Sequence, residues 1–588
     1  MIETADLDIY FDHEAISEKK KWDALMSLSV DERIRKRKAI KNVYIDRDYD
    51  SVPDDDGNSL LRLKVDVDLS DFKEGECLLL HKEGTTTGIA CKLTNFEDDG
   101  DLIISVFPLD ISFGLESYYD TALILDKNYV DLRENVYDHF LGSIPFNCTE
   151  FWERTPFNTK KSPTFEDEDK CNKVLSDTIE CCGLKLLPKQ REAILKSMSA
   201  KDYYLIQGPP GTGKSFVLSW IIIEEIIDLK HKVVVVGPNH MAINNTLEQI
   251  LKNMPNIYFL LYKVGQSYHA PKLKVKSKED EDAYITNISR VNTSYFNDLE
   301  LDLGWVVGLT PHSLYTSRAK GLNFDTLVID EAGQMSIPLA LMGMLKAKKV
   351  IFAGDHKQLP PIITSEDIKE ELTKSAFESL IKEDNSTMLD VSFRMCEPIC
   401  DYVSELFYDG KIHSYKKGCG NKIICEDSLY SFDSPIVIHN VEDNGEQVSN
   451  KEAEFISEVI GDFISKGLLP EDVGVLSPFR AQAANIRRYI NKSEYIKEEN
   501  KKSICSETID KMQGQEREVI IYSLTSGDIE YMTDMSDFLY NPNKMNVAFS
   551  RAKSKLIIVG NIERLKRIDL SLFPHIRKMI TSKLVKFV

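Results

Sequence analysis

Residues 203–227 read YYLIQGPPGTGKSFVLSWIIIEEII. The first five form a short apolar run, strand-sized and suited to burial on both faces. GPPGTGKS (208–215) follows, and then a dense apolar stretch with the length of a buried helix. Strand, glycine-rich turn and helix together are the setting in which backbone N–H groups converge on a phosphate. Gly208, Gly211 and Gly213 let the turn fold inward, with Thr212 inside it. Lys214 can then put its charge on the β- and γ-phosphates of ATP, and Ser215 can offer its hydroxyl to Mg²⁺.

Downstream, TLVIDEAGQ (326–334) is an apolar strand ending in Asp330 and Glu331. Asp330 is placed to hold Mg²⁺ through water, and Glu331 to polarise an attacking water. Around these motifs KVVVVG (232–237), WVVGLT (305–310) and KVIFAG (349–354) alternate with helical stretches. A second set begins after about 385: SPIVIHN (434–440), VGVLSP (473–478), EVIIYSL (518–524) and KLIIVGN (555–561). The fold expected is α/β, with two tandem parallel-sheet domains at 184–384 and 385–588.

Upstream the pattern differs. A charged helical stretch runs from about 14 to 41, and a strand-like alternation follows at 61–69. Further short strand candidates lie near 76–81, 87–93, 101–107 and 121–125. This predicts a helical stalk (1–41), a small β-barrel (42–126) and a helical connector (127–183). The charged segment KLKVKSKEDEDAY (272–284) reads as part of a short exposed insertion, about 262–300, in the first α/β domain.

The net charge is −21, and about −18 of it falls in residues 1–180. The remainder is close to neutral and can hold a local basic groove, while the acidic third leaves room for a protein partner. No apolar run approaches a membrane span, and the acidic N-terminus is not a signal, so the expectation is a cytoplasmic protein without membrane contact. The 11 cysteines contain no CxxC pair. Cys396, Cys400, Cys419 and Cys425 cluster, but their spacing fits no common metal site, and reduced thiols are expected.

Further motifs sharpen the reading. VIFAGDHKQLPP (350–361), FRM (393–395), SPFRAQ (477–482), DKMQGQE (510–516) and NVAFSRA (546–552) stand in the order found in superfamily 1B helicases. Within these the sequence most resembles the up-frameshift-like group, which includes the nonsense-mediated-decay and immunoglobulin-mu-binding-protein helicases. The resemblance implies RecA-like α/β domains and roles for individual residues. Gln190 matches the adenine-reading glutamine, and Gln358 the sensor between γ-phosphate and strand. Arg394 and Arg551 match arginines reaching the γ-phosphate from the second domain. Phe393 takes the place of a ring beside the base, and Glu516 that of a ribose or phosphate contact. Strand contacts are implied at Pro238, Asn239, Thr310, Ser477, Arg480 and Thr508.

The sequence departs from the family at four places: Phe393 for tyrosine, Cys396 for histidine, Gln515 for arginine, and Asn543–Lys544 for a pair of arginines. The function implied is an ATP-dependent helicase or translocase on single-stranded RNA or DNA, moving 5′→3′ as a monomer. Two alternatives remain at this stage: an ATPase that remodels nucleoprotein complexes without processive unwinding, and an ATP-switched interaction protein.

Overall fold

A computed structural model describes the chain except for residues 50–52, 54–56, 66–69, 71, 73, 98–100, 107–113, 145–148, 267–268, 278–280, 289–302, 320, 364–367, 419–433 and 513. Cys419, Cys425, the end of the 61–69 strand candidate and residues 289–300 of the expected insertion lie outside the described residues.

Six antiparallel strands close the N-terminal barrel: β1 Ala39–Ile45, β2 Ser59–Val65, β3 Cys77–Lys82, β4 Ile89–Phe96, β5 Leu102–Val106 and β6 Leu123–Lys127, in the order β1-β2-β5-β4-β3-β6. The first of these falls where the sequence reading placed the end of a helical stretch. AIKNVYI buries Ala39, Ile40, Val43 and Ile45, with a register shift between Lys41 and Val43 that blurs strict alternation. Two helices precede it, Thr4–Met26 and Val30–Arg35.

Arg33 of the second helix enters the barrel wall. Its guanidinium pairs with both oxygens of Asp126, at 2.9 and 2.8 Å, and His81 Nε2 lies 2.8 Å from the same carboxylate. All three are buried. Removing the acid would leave an unpaired buried guanidinium. Asp126→Ala is therefore expected to cost about 3 kcal/mol, read as faster hydrogen exchange of the barrel amides. Wild-type exchange in the variant would contradict it.

The long first helix and the connector pack into the core of the first α/β domain. Leu7, Tyr10 and Phe11 join Val136, Tyr137 and Phe140 in that core. Phe11 stacks on Tyr137 at 4.0 Å, and the Tyr137 hydroxyl lies 3.3 Å from His312 Nε2.

The first α/β sheet has eight strands, all joined in parallel: β7 Tyr203–Gln207, β8 Lys232–Val236, β9 Leu261–Val264, β12 Thr286–Ile288, β13 Trp305–Gly308, β14 Phe324–Ile329, β15 Ala347–Gly354 and β16 Ser386–Met388. Their order is β12-β9-β13-β8-β14-β15-β7-β16. β16 carries this sheet past 384. β9 and β12 are sheet strands inside the 262–300 stretch, and the hairpin β10 Lys274–Lys276 with β11 Asp282–Tyr284 sits between them.

A two-stranded ribbon, β17 Val391–Cys396 with β18 His413–Lys416, leads into the second domain. That domain's sheet is also parallel, with β19 Ile436–Asn440, β20 Val473–Ser477, β21 Cys505–Thr508, β22 Arg517–Ser523, β23 Ala552–Gly560 and β24 Lys586–Phe587 in the order β21-β20-β22-β23-β19-β24. Separate apolar cores cover its two faces, as burial of a parallel sheet on both sides requires. Two tandem α/β domains behind a small barrel are thus the architecture the sequence foretold. Among the described residues no helix is long and apolar enough to cross a membrane. Cys396 and Cys400 are buried thiols.

Candidate ATP site and nucleic-acid interface

The phosphate loop leaves the C-terminal end of β7, where ligands of parallel α/β sheets gather. Gly208 is tied to the neighbouring strand end, its N–H donating to Gly354 O at 2.9 Å. Gly211 and Gly213 adopt φ of +75° and +81°, a left-handed backbone that glycine takes without strain. Lys214 opens the helix Lys214–Ile227 and turns back over Gly208, where an added Cβ would fall 2.7 Å from the lysine's own Cβ.

Lys214 Nζ donates to Asp330 Oδ1 at 2.7 Å and to Glu331 Oε1 at 2.6 Å. Burial opposes its charge, but attraction to the two carboxylates outweighs that and raises the ammonium pKa above its ordinary value. Asp330 is buried, and its other oxygen accepts from Thr246 Oγ1 at 2.7 Å. Glu331 sits at φ +54°, a conformation rare for a residue with a side chain, on the turn that follows β14. Gln334 Nε2 donates to its second oxygen at 3.3 Å. Ser215 is half-buried on the first turn of the Lys214 helix. A serine hydroxyl and a buried carboxylate are hard oxygen donors of the kind Mg²⁺ takes.

The second domain reaches this loop through β17. Phe393 N–H donates to Gly211 O at 2.8 Å, and Ser392 Oγ to Pro210 O at 3.0 Å. A Cβ on Gly211 would meet Arg394 Cβ at 2.5 Å, so the loop and β17 can touch only through a glycine. Gln190 is buried beside Thr212, donating from Nε2 to its carbonyl at 3.4 Å and accepting from Leu187 N–H at 3.1 Å. Phe393 packs on Tyr415 with ring centroids 4.9 Å apart. Tyr415 lies 63% exposed and extends an aromatic face that the sequence reading did not include.

Arg394 Nε pairs with Glu516 Oε2 at 2.6 Å and Nη1 donates to Ser550 O at 3.2 Å. Lys553 holds the other Glu516 oxygen at 2.9 Å. Burial works against the Glu516 charge, but Lys553 and Arg394 together hold its pKa below the ordinary value. In this arrangement Glu516 therefore engages two cations. Arg551 is buried, donating to Val547 O at 3.0 Å and Gln515 O at 3.2 Å. Burial, and next the like charge of Arg394, depress its pKa, while Glu331 works in the opposite sense. Gln358 donates to Asp355 Oδ2 at 3.0 Å.

The six strand-contact candidates all lie at C-terminal strand ends. Pro238 and Asn239 follow β8, and exposed Asn239 caps the helix His240–Asn253 by accepting from Ala242 N–H at 2.9 Å. Thr310 follows β13 and caps the short helical turn Pro311–Tyr315. In the second domain Arg480 is exposed at the start of the helix Arg480–Lys492. Ser477 and Thr508 are buried, and Ser477 Oγ lies 2.9 Å from Thr525 Oγ1. Of the second domain's three candidates, only Arg480 is exposed.

Glu452 supports the neighbouring turn at the end of β22. It accepts from Ser523 Oγ at 2.6 Å and from Thr525 N–H at 3.1 Å. Burial pushes its carboxyl up to about 8, with these two donors acting in the opposite sense. The folded pKa thus exceeds the unfolded one. This group's stabilising contribution is complete below the unfolded value and is lost as pH rises through the folded one. Glu452→Gln stays neutral, so its melting temperature should gain on wild type between about pH 6 and about pH 9. An equal difference at both pH values would contradict this.

Two family models, each described as an AAA domain, match the chain: one over 185–301 and 300–366, the other over 372–563. An uncharacterized ATP-dependent helicase of Methanocaldococcus jannaschii is 28% identical over 480 residues, covering 66% of this chain and 70% of that protein. The DNA replication ATP-dependent helicase/nuclease DNA2 of Xenopus laevis is 26% identical, over 76% of this chain and 46% of its own length. DNA polymerase alpha-associated DNA helicase A of Schizosaccharomyces pombe is 28% identical, over 67% and 66%. The chain thus spans under half of the frog protein. The solved arterivirus nonstructural protein 10 (helicase) with DNA overlays at a TM-score of 0.38 with 13% identity, over 87% of this chain and 77% of that one, too loosely to carry an argument. With paired AAA domains, a formed phosphate loop and ATP-dependent helicases among its relatives, the chain belongs to the superfamily 1 helicases.

Proposed function

We infer that this protein is an ATP-driven translocase that unwinds nucleic acid by drawing one strand across the C-terminal edges of both α/β sheets. One observation carries the reading: Arg394 and Arg551 of the second domain stand at the same site as Lys214, Asp330 and Glu331 of the first. Hydrolysis then depends on how the two domains meet, which is what a motor needs.

Lys214 holds the β- and γ-phosphates. Ser215 and Asp330 would hold Mg²⁺, which would supply charge neutralisation to the phosphates. Glu331 orients a water and takes its proton as the oxygen bonds to the γ-phosphorus. The bond to the ADP oxygen breaks, and ADP leaves with its electron pair. Arg394 and Arg551 neutralise the charge gathering on the phosphoryl oxygens. Gln190 reads adenine through its amide, and Phe393 with Tyr415 offers a ring face to the base.

Strand grip comes from Asn239, Thr310, Arg480 and the loop backbones, which contact phosphates without regard to sequence. The named activities of the frog and fission-yeast relatives, DNA replication helicase/nuclease and DNA helicase, make single-stranded DNA the first substrate to test. The motif order supports placement in the up-frameshift-like group, and with it 5′→3′ movement. Duplexes with a single-stranded 5′ or 3′ tail test this directly. ATP-dependent displacement from the 5′-tailed duplex alone is expected; displacement from the 3′-tailed one alone would reverse the assigned polarity.

A further inference from the structure

Asp355, two places before the loop residue Lys357 and three before Gln358, is buried and takes four hydrogen bonds. Oδ1 accepts from Gln207 Nε2 at 3.0 Å and Lys357 N–H at 3.1 Å. Oδ2 accepts from Gln358 Nε2 at 3.0 Å and from the Tyr408 hydroxyl at 2.5 Å. Gln207 is the last residue of β7 before the phosphate loop. Tyr408 closes the helix Glu397–Phe407 and packs in the core of the second domain. One carboxylate therefore joins the phosphate loop, the Gln358 loop and the other domain.

A second set of bonds runs beside it. Asn546 Nδ2 donates to the Tyr408 hydroxyl at 2.7 Å and to Lys357 O at 2.6 Å. Asn543 Nδ2 donates to His356 O at 3.0 Å and to Gln358 O at 2.5 Å. Both asparagines belong to the helix Pro542–Phe549, and Arg551 follows two residues after its end. Asn543 stands where the resembled family carries arginine. A short amide that bonds two carbonyls of the Gln358 loop can replace a long cation only by making a different contact. The Asn546 carbonyl oxygen is buried with no partner, so this junction is not fully satisfied in the present arrangement.

We propose that Tyr408, Asn543 and Asn546 form a latch on the Gln358 loop that moves Gln358 and Arg551 together, so that γ-phosphate contact in the first domain and arginine placement in the second occur as one event. The latch consists of positioning residues, which act through their bonds to Asp355 and to the carbonyls of the Gln358 loop. The physical basis is a shared acceptor. When the Gln358 amide turns toward the γ-phosphate it gives up Asp355 Oδ2, and the Tyr408 hydroxyl is left as the tie that keeps Asp355, and with it the loop, against the arginine helix. Burial, and next the Asp355 charge, raise the phenol pKa well above its ordinary value, so it remains a donor throughout the working range.

This rests on the helicase reading, and two arms of the test separate them. In full-length protein, Tyr408→Phe removes one hydroxyl and keeps the ring. Stimulation of ATP turnover by oligo(dT) should fall about tenfold, with KM for ATP within about twofold of wild type. Small-angle X-ray scattering with adenylyl-imidodiphosphate should show wild type becoming more compact and Tyr408→Phe binding the analogue without doing so. Asn543→Ala should act alike, and the double variant should be scarcely worse than either single one, as members of one unit behave. Wild-type compaction and stimulation in Tyr408→Phe would overturn the latch. So would fully additive losses, or a fall in turnover that merely tracks a lowered melting temperature. Wild type that compacts but ignores both oligo(dT) and oligo(U) would overturn the strand-motor reading while leaving the latch to stand on the scattering arm.

Discussion

Lys214→Ala is expected to lower ATP turnover by about 10³-fold. The ammonium lies 2.7 and 2.6 Å from the carboxylates of Asp330 and Glu331. Its removal acts twice. The phosphates lose their clamp, and the two acids that follow β14 lose the charge that reconciles them, so an incoming polyphosphate meets net negative charge. Nucleotide affinity should fall along with kcat, which separates this variant from one that damages chemistry alone. Repulsion between the two acids could loosen the fold locally, so the comparison includes Lys214→Met, which keeps the bulk of the side chain. Turnover within about tenfold of wild type in both variants would remove Lys214 from the site.

Glu331→Gln should behave differently. The amide keeps the shape and the left-handed backbone of the turn but cannot accept the water's proton. Loss of a general base typically costs 10²–10⁴-fold, and about 10³-fold is expected here. Binding of ATP should be retained, or even tightened by loss of a negative charge facing the γ-phosphate. Equilibrium binding and single-turnover hydrolysis therefore give opposite answers for this variant, whereas for Lys214→Ala they fall together. A Glu331→Gln protein that hydrolyses like wild type would show that another group activates the water. Asp330 is already committed, on one side to Lys214 and on the other to Thr246.

The parts of this molecule visible in the sequence share a physical reason. Buried parallel strands are continuous apolar runs, so all nine strand cores named from the sequence lie in the two sheets. A phosphate loop needs its glycines and lysine in a fixed local frame, so Gly208 to Ser215 are legible without tertiary information. The DEAGQ turn is likewise local. What stayed hidden depends on distant residues meeting. β1 carries Asn42 at positive φ and a register shift, which breaks the alternation that marks a strand. Asp355 and Tyr408 are 53 positions apart, and neither advertises a bond to the other. Tyr415 gained its place only when β18 paired with β17. Ser477 and Thr508 show the reverse case: their position at strand ends was legible, but their burial was not.

The acidic N-terminal third now has a structural setting. Its helices and connector share the first domain's core, and Tyr137 touches His312 in the loop after β13.

The central claim is that hydrolysis at the Lys214–Glu331 site is governed by a strand lying across both domains. The most direct measurement is steady-state ATP turnover of the full chain alone, with single-stranded DNA, and with single-stranded RNA of matched length, at low and moderate salt. The account predicts that at least one polymer raises kcat by about tenfold or more, with less effect as salt weakens the phosphate contacts. Turnover that neither polymer changes at either salt concentration would contradict it.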